Sequence, residues 1–214
     1  EGKKMSKTLG NVIKPAQLVE QFGVDATRLL ILSMFPIGVD GNFSLSEIKE
    51  KYNKDLADNF GNLVSRTFGM LNRYFSNRLK ILSPSEIIMQ EILGCVKDYK
   101  ICFEKLELHK VTEVILELTS FANRYIQQQA PWVLAKESKI DKLVQVLSDL
   151  LFIIKVASVL FFPFIPNISL KILNCFNEDE KDLKESFLTL VQTGKVYIKA
   201  ENFLQPEILF KKIQ

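Results

Sequence analysis

Hydrophobic residues recur at helical spacing along most of the chain, and strand-like alternation is almost absent before the C-terminal segment GKVYIKAENFLQPEILFKKI. Two short helices are predicted first. PAQLVEQF has Pro15 at a favourable first position and Gly23 as its stop. ATRLLILSMF follows, with Asp25 as its predicted cap, and ends before Pro36. A turn-rich stretch, IGVDGN, then separates these helices from the rest of the chain.

Longer amphipathic segments make up the remainder. Ser44 stands three residues before Glu47, which is the spacing of a capping box, and predicts a helical run to about Leu79. Four more helices are predicted: from the Ser83-Pro84-Ser85-Glu86 box to about Leu106, from Val111 to Gln129, from Asp141 to Phe162, and a shorter one after Pro166. The C-terminal segment lacks helical periodicity and is predicted to pack as an extended arm.

This pattern predicts an all-α fold with two parts. Residues 1–43 form a loop and a short helical connecting segment. Residues 44–214 form an antiparallel bundle of about five helices with the extended C-terminal arm.

Composition narrows the class of protein. The 214 residues are 47% hydrophobic and include 16 Phe, enough for a substantial core, and the net charge of +3 is compatible with nucleic-acid binding without requiring it. Three Cys without a CxxC pair, and a single His, argue against a structural zinc site and favour a reducing, intracellular setting. The most apolar run, Leu150 to Pro166, is interrupted by Lys155 and predicts a buried helix, not a membrane span. No signal-peptide, dinucleotide-binding or P-loop pattern is present.

The opening segment KMSKTLGN is a candidate phosphate-binding loop. Lys4 and Lys7 bracket Met5 and Ser6, and Thr8 follows. Ammonium and hydroxyl groups on a glycine-flanked loop can stabilise the charge that develops on a triphosphate during attack at its α-phosphorus. On composition alone, a solvated loop is the favoured interpretation.

The order of these residues resembles the KMSKS signature of class I aminoacyl-tRNA synthetases, with Thr8 in place of the last serine. FGVDATRLLIL, from Phe22 to Leu32, resembles the stem-contact segment that follows this loop in the methionyl, isoleucyl, valyl and leucyl enzymes. The resemblance implies that Lys4 and Lys7 stabilise the leaving pyrophosphate and that the full-length enzyme uses ATP as Mg-ATP. Without the resemblance, Asp25 is a helix cap and Arg28 a surface charge.

A second candidate site lies in NFGNLVSRTFGMLNRYF, where Asn62, Arg66 and Arg73 are spaced to lie close to one helix face. Amide and guanidinium groups on a rigid helix can recognise base edges and phosphates, although the spacing also fits a solvated face. GNLVSR resembles the anticodon-reading helix of methionyl-tRNA synthetases. The resemblance implies that Asn62 and Arg66 contact the anticodon, with Arg73 as an additional candidate.

The third candidate is Trp132, the only tryptophan, in NRYIQQQAPWVLAK. An aromatic residue at a helix junction commonly packs into a core. However, Tyr125, Ile126, Pro131 and Trp132 match a Tyr-Ile-x-x-x-x-Pro-Trp pattern of the methionyl enzymes, which implies that Trp132 stacks on an anticodon base.

Together these motifs identify the chain as a member of the methionyl-tRNA synthetase family, similar to the C-terminal part of a bacterial-type enzyme. The resemblance implies a cytoplasmic protein whose partner is tRNA(Met), with methionine and ATP bound through an N-terminal half that carries the HIGH motif. It implies no DNA, no membrane and no metal bound by these residues, which are expected to bind tRNA without activating methionine. Another class I synthetase, of the isoleucyl or valyl type, and a non-catalytic tRNA-binding scaffold are the alternatives.

Overall fold

A computed structural model describes residues 13–39, 41 and 44–213 of the chain. Over these residues helices are the only regular secondary structure apart from one isolated β-bridge, which confirms the all-α prediction. The described part of the chain contains ten α-helices and one π-helix: α1 Pro15–Phe22, α2 Val24–Met34, α3 Leu45–Lys51, the π-helix Tyr52–Gly61, α4 Asn62–Phe75, α5 Glu86–Glu104, α6 Leu108–Gln129, α7 Pro131–Lys136, α8 Ile140–Phe161, α9 Pro166–Asn174 and α10 Glu180–Thr193.

The prediction that Asp25 caps α2 is wrong. Gly23 occupies the N-cap position with a positive φ of 81°, so Asp25 lies inside the first turn of α2. Its buried carboxylate instead accepts hydrogen bonds from the backbone N–H of Ile168 at 2.8 Å and from Asn167 Nδ2 at 2.9 Å. Asp25 therefore caps the N-terminus of α9 and ties the connecting segment to the bundle. The exposed Arg28 adds a second tie, because its Nη2 donates to the carbonyl of Pro163 at 3.0 Å.

α3, the π-helix and α4 form one continuous helical run. It begins as predicted, since the Ser44 hydroxyl accepts from the backbone N–H of Glu47 at 3.2 Å and donates to its carboxylate at 2.7 Å. Within the π-helix each backbone hydrogen bond reaches five residues back. The widened turns end where the N–H of Asn62 bonds to the carbonyl of Ala57. The candidate residues of α4 thus begin directly where the π-helix ends.

α8 is the centre of the core. By length and composition alone it could cross a membrane, but 89% of its most apolar window is buried inside the fold, as a core helix requires. Its one buried cation, Lys155, donates to Glu178 and to the backbone carbonyl of Tyr197. Burial lowers the pKa of Lys155 and raises the pKa of Glu178, and the ion pair between them opposes both effects.

The structure contains two helices that the sequence did not predict, and one predicted capping interaction is absent. α7 begins immediately after Ala130, whose φ of 44° breaks the axis of α6. α10 is capped by Asp179, whose carboxylate accepts from the backbone N–H groups of Lys181 and Asp182. The Ser85 side chain, predicted as part of a capping box, instead donates to Asp149 in α8 at 2.9 Å.

The C-terminal arm is extended, as predicted, and returns to the π-helix. After Gly194 the chain forms no further helix in its described part. Near its end, the Phe210 ring packs edge-on against Tyr52, with centroids 6.2 Å apart. Asn53 and Ile213 then exchange two hydrogen bonds of 2.8 and 2.9 Å. The arm therefore supports the π-helix from the side.

Candidate nucleic-acid interface

A groove of about 870 Å³ lies between the π-helix with α4 on one side and α6 on the other. Asn62 and Arg66, which the sequence analysis singled out, both line it. The facing wall on α6 presents Asn123, Arg124 and Gln127. Both Asn62 and Arg66 are partly exposed. The fold therefore brings two predicted site residues to one groove and places a second Asn–Arg pair opposite them.

A network of amides joins the two walls. The Nδ2 of Asn59 donates to the carbonyl of Leu116 at 3.2 Å and to the hydroxyl of Ser120 at 2.9 Å. The Nδ2 of Asn123 in turn donates to Asn59 Oδ1 at 3.0 Å, and the Nδ2 of Asn62 faces Asn123 Oδ1 at 3.5 Å. These bonds fix the distance between the walls and position Asn62 at the edge of the network.

Charge is unevenly distributed along the groove. Its lining includes six carboxylates and four cations: Glu47, Glu50, Asp55, Asp58, Glu113 and Glu117 against Lys51, Lys54, Arg66 and Arg124. Lys51 is paired with Asp55 at 2.7 Å. Among the residues that the structure describes, the guanidinium groups of Arg66 and Arg124 form no hydrogen bond and no ion pair. Two guanidinium groups thus remain available to a ligand, while the carboxylates disfavour a phosphate chain along the rest of the groove.

Trp132 lies outside this groove, on α7. Its side chain is 42% exposed, and its neighbour Val133 is 40% exposed, so neither is a core residue. This exposure leaves the indole face accessible to a base. It also excludes the interpretation that Trp132 packs into the core. The structure does not place Trp132 among the residues that line the groove with Asn62 and Arg66.

The tyrosine of the same motif has a structural role. Tyr125 is 8% exposed, and its hydroxyl donates to Asp149 in α8 at 2.7 Å. Burial, followed by this hydrogen bond to the carboxylate, raises the pKa of Tyr125. The bond fixes the last turns of α6 against α8, immediately before the junction that presents Trp132.

Arg73 also lies outside the groove. It is exposed near the end of α4, and its guanidinium lies over the ring of Tyr74, 5.7 Å from the centroid. A cation held over an aromatic ring at a surface remains able to contact a phosphate.

The loop residues predicted to bind ATP, Lys4, Met5, Ser6, Lys7 and Thr8, lie outside the described residues. In the part of the chain that is described, no group of three or more His, Cys, Asp or Glu side chains is arranged to hold a metal ion.

Sequence reasoning did not identify Asn59, Asn123 or Arg124 as part of the site. Asn123 and Arg124 begin the segment that was singled out for its tryptophan, so their type and spacing were visible. The missing information was that α6 faces the π-helix and the start of α4, because the contacts of Asn123 with Asn59 and Asn62 join residues 64 and 61 positions apart.

Two known sequence families match the chain. Residues 1–68 match the family described as tRNA synthetases class I (M), and residues 81–214, more than half of the chain, match the anticodon binding domain of methionyl tRNA ligase. A methionine–tRNA ligase of Mycoplasma genitalium is 34% identical over 218 residues, which cover 100% of this chain and 42% of that relative. The corresponding enzyme of Caldanaerobacter subterraneus is 40% identical over 175 residues, covering 78% of this chain and 27% of the relative.

Solved structures give the same result. Mycobacterium tuberculosis methionyl-tRNA synthetase in complex with methionyl-adenylate superimposes with a TM-score of 0.87 and 27% sequence identity, over 98% of this chain and 42% of that one. The chain thus spans less than half the length of these relatives. The sequence motifs, the helical fold and the family match over residues 81–214 agree, and the chain belongs to the methionyl-tRNA ligase family of class I synthetases.

Proposed function

We propose that the chain is the part of a methionine–tRNA ligase that binds the anticodon of tRNA(Met) and supplies the KMSKS-like loop for methionine activation. This proposal rests on the groove that Asn62 and Arg66 both line, in a chain that matches the anticodon-binding family. A free guanidinium beside an oriented amide can recognise base edges, whereas the carboxylates nearby oppose phosphates. The groove is therefore suited to splayed-out bases, which is how proteins recognise single-stranded loops of RNA.

The RNA contacts follow from where the side chains lie. Asn62 and Arg66 contact anticodon bases within the groove, and Arg124 contributes a second guanidinium from the facing wall. Trp132 stacks on a base with its exposed indole, and Arg73 contacts the backbone outside the groove.

The activation chemistry belongs to the N-terminal segment. The chain divides into two parts. Residues 1–43 contain the loop and the connecting helices, and residues 44–214 contain the anticodon-binding bundle and its arm. Lys4 and Lys7 stabilise the pyrophosphate that leaves Mg-ATP, and Met5, Ser6 and Thr8 complete the ATP-binding loop. Methionine and ATP bind mainly to a catalytic half like that of the longer relatives. These 214 residues alone bind tRNA without activating methionine, act in the cytoplasm and do not use DNA or a membrane as a partner.

Direct binding of an anticodon stem-loop tests the groove. Asn62→Ala and Arg66→Ala are each expected to weaken binding of a stem-loop with a CAU anticodon by about 1–3 kcal/mol, while changing the melting temperature little because both side chains are partly exposed. Arg78→Ala removes an exposed guanidinium outside the groove and is the matched control. If Arg66→Ala and Arg78→Ala have equal effects on binding, Arg66 acts only through net charge.

Trp132 provides a spectroscopic test, since the chain has no other tryptophan. Its fluorescence should change when the CAU stem-loop is added, and Trp132→Ala should weaken binding by about 1–3 kcal/mol without unfolding the bundle. Emission that is indifferent to RNA would exclude Trp132 from the interface. In a full-length synthetase containing this chain, charging with isoleucine in place of methionine would contradict the proposed substrate.

A further inference from the structure

The amide groups around the groove are held in one orientation by backbone carbonyl groups. Nδ2 of Asn123 donates to the carbonyl of Asn59 at 3.1 Å, to the carbonyl of Thr119 at 3.1 Å and to Asn59 Oδ1 at 3.0 Å. A backbone carbonyl only accepts hydrogen bonds. Rotating the Asn123 amide by half a turn would therefore direct its oxygen at two carbonyl oxygens, and the orientation with Nδ2 towards them is the stable one.

The orientation of Asn123 determines that of Asn62. The two N–H groups of Asn123 Nδ2 are shared among its three acceptors, so Asn123 presents Oδ1 to the Asn62 side chain. The Nδ2 of Asn62 lies 3.5 Å from that oxygen. The bond is long. The preferred orientation of the Asn62 amide does not depend on the strength of this bond, because the opposite orientation would place the oxygens of the two amides against each other. The remaining acceptor of Asn62, Oδ1, is therefore directed away from Asn123.

We propose that Asn123 is a positioning residue that fixes Asn62 as a hydrogen-bond acceptor, so that the groove selects a base with an exocyclic amino group. This inference rests on the proposed function. Cytosine presents such a group at N4 and adenine at N6, whereas uracil presents O4 and guanine presents O6 at the corresponding position, because the amino group of guanine is at N2 on another edge of the base. The carboxylates that line the groove favour the same choice, because they attract the partial positive charge of an amino group.

The test combines changes in the protein with changes in the RNA. The CAU stem-loop is compared with two analogues, one in which the cytosine lacks its N4 amino group and one in which the adenine lacks its N6 amino group. Against the wild-type protein, one of these deletions is expected to weaken binding about tenfold or more. Against Asn62→Ala the same deletion should cost less than about twofold, because its partner is absent.

Asn123→Ala should likewise reduce the effect of that deletion to about twofold, since the Asn62 amide can then rotate. The matched control is Asn59→Ala, which also removes the amide link between the π-helix and α6. It leaves two backbone carbonyls to orient Asn123, so it should lower the melting temperature as Asn123→Ala does but preserve the tenfold discrimination. If the two variants affect discrimination equally, Asn123 has only a structural role and the inference is wrong.

The remaining outcomes are also decisive. If Asn123→Ala does not fold, the comparison of wild type with Asn62→Ala on the two analogues still decides whether Asn62 accepts from an amino group. Equal binding of all three stem-loops by the wild-type protein would overturn the inference and leave the proposed function standing. No binding of the unmodified CAU stem-loop would refute the proposed function, and the inference with it.

Discussion

Tyr125→Phe removes a single hydroxyl and should lower stability without changing the packing of the ring. The hydroxyl donates to Asp149 at 2.7 Å, and the residue is only 8% exposed. A hydrogen bond to a charged group contributes about 1.5–3 kcal/mol to stability. Asp149 keeps two bonds from Ser85 and one from Gln145, so its carboxylate stays satisfied and the loss should lie near 1.5–2 kcal/mol.

The assay is thermal unfolding followed by circular dichroism, with urea unfolding as a second measure. For a chain of this size 1 kcal/mol shifts the melting temperature by about 2–4 °C, so Tyr125→Phe should melt roughly 3–8 °C lower than the wild type. Tyr197→Phe is the matched control, because Tyr197 is 58% exposed and only its backbone carbonyl is used. A Tyr125→Phe protein that melts within about 1 °C of the wild type would show that the hydroxyl contributes nothing to the junction of α6 and α8.

Three further predictions address other parts of the molecule. Asp25→Ala should cost about 1.5–3 kcal/mol in thermal melts, because two donors of α9 lose a carboxylate, and Asp25→Asn, which keeps one acceptor, should cost less. Burial raises the pKa of the Cys95 thiol from 9.0 to about 12. The stability that the buried thiol contributes is therefore complete below pH 9 and is lost as the pH rises from 9 to 12. The free energy of unfolding of Cys95→Ala should fall less steeply over that pH range than that of the wild type. In a full-length synthetase containing this chain, Lys4→Ala or Lys7→Ala should slow methionine-dependent pyrophosphate exchange by roughly 100- to 1,000-fold, and an unchanged rate in both would contradict the role of the loop.

Local sequence signals were enough to predict most of the helices. Pro15 and Gly23 delimit α1, and the spacing of Ser44 and Glu47 correctly placed the start of the long helical run. These signals act within one helical turn, so they can be recognised without knowing the fold. The buried character of α8 was also predictable, because an apolar run that contains Lys155 and ends at proline suits a core helix.

Interactions between distant residues were not predictable in this way. Asp25 lies two residues after Gly23 and precedes a helical segment, which is the local pattern of a cap, yet its partners lie 142 and 143 residues further along the chain. A carboxylate bonds to whichever N–H groups the fold places beside it, and here these are at the start of α9. α10 was missed for a different reason, because its signals are local: Asp179 caps it, Gly194 ends it, and Leu183 and Leu190 are seven residues apart on one buried face.

The π-helix shows how far the geometry of the groove depends on the whole chain. Nothing in YNKDLADNFG distinguishes it from an ordinary amphipathic helix, since the same apolar spacing suits both. Its turns are contacted by the last residues of the arm: Phe210 packs against Tyr52, and Asn53 pairs with Ile213. Its final turns supply Asn59 to the amide network beside Asn62. The arm therefore stabilises the segment that sets the position of Asn62, although none of the arm residues that the structure describes lines the groove. A recognition motif on α4 is visible in a few letters of sequence, but its position relative to α6 is determined by contacts that the C-terminal arm completes.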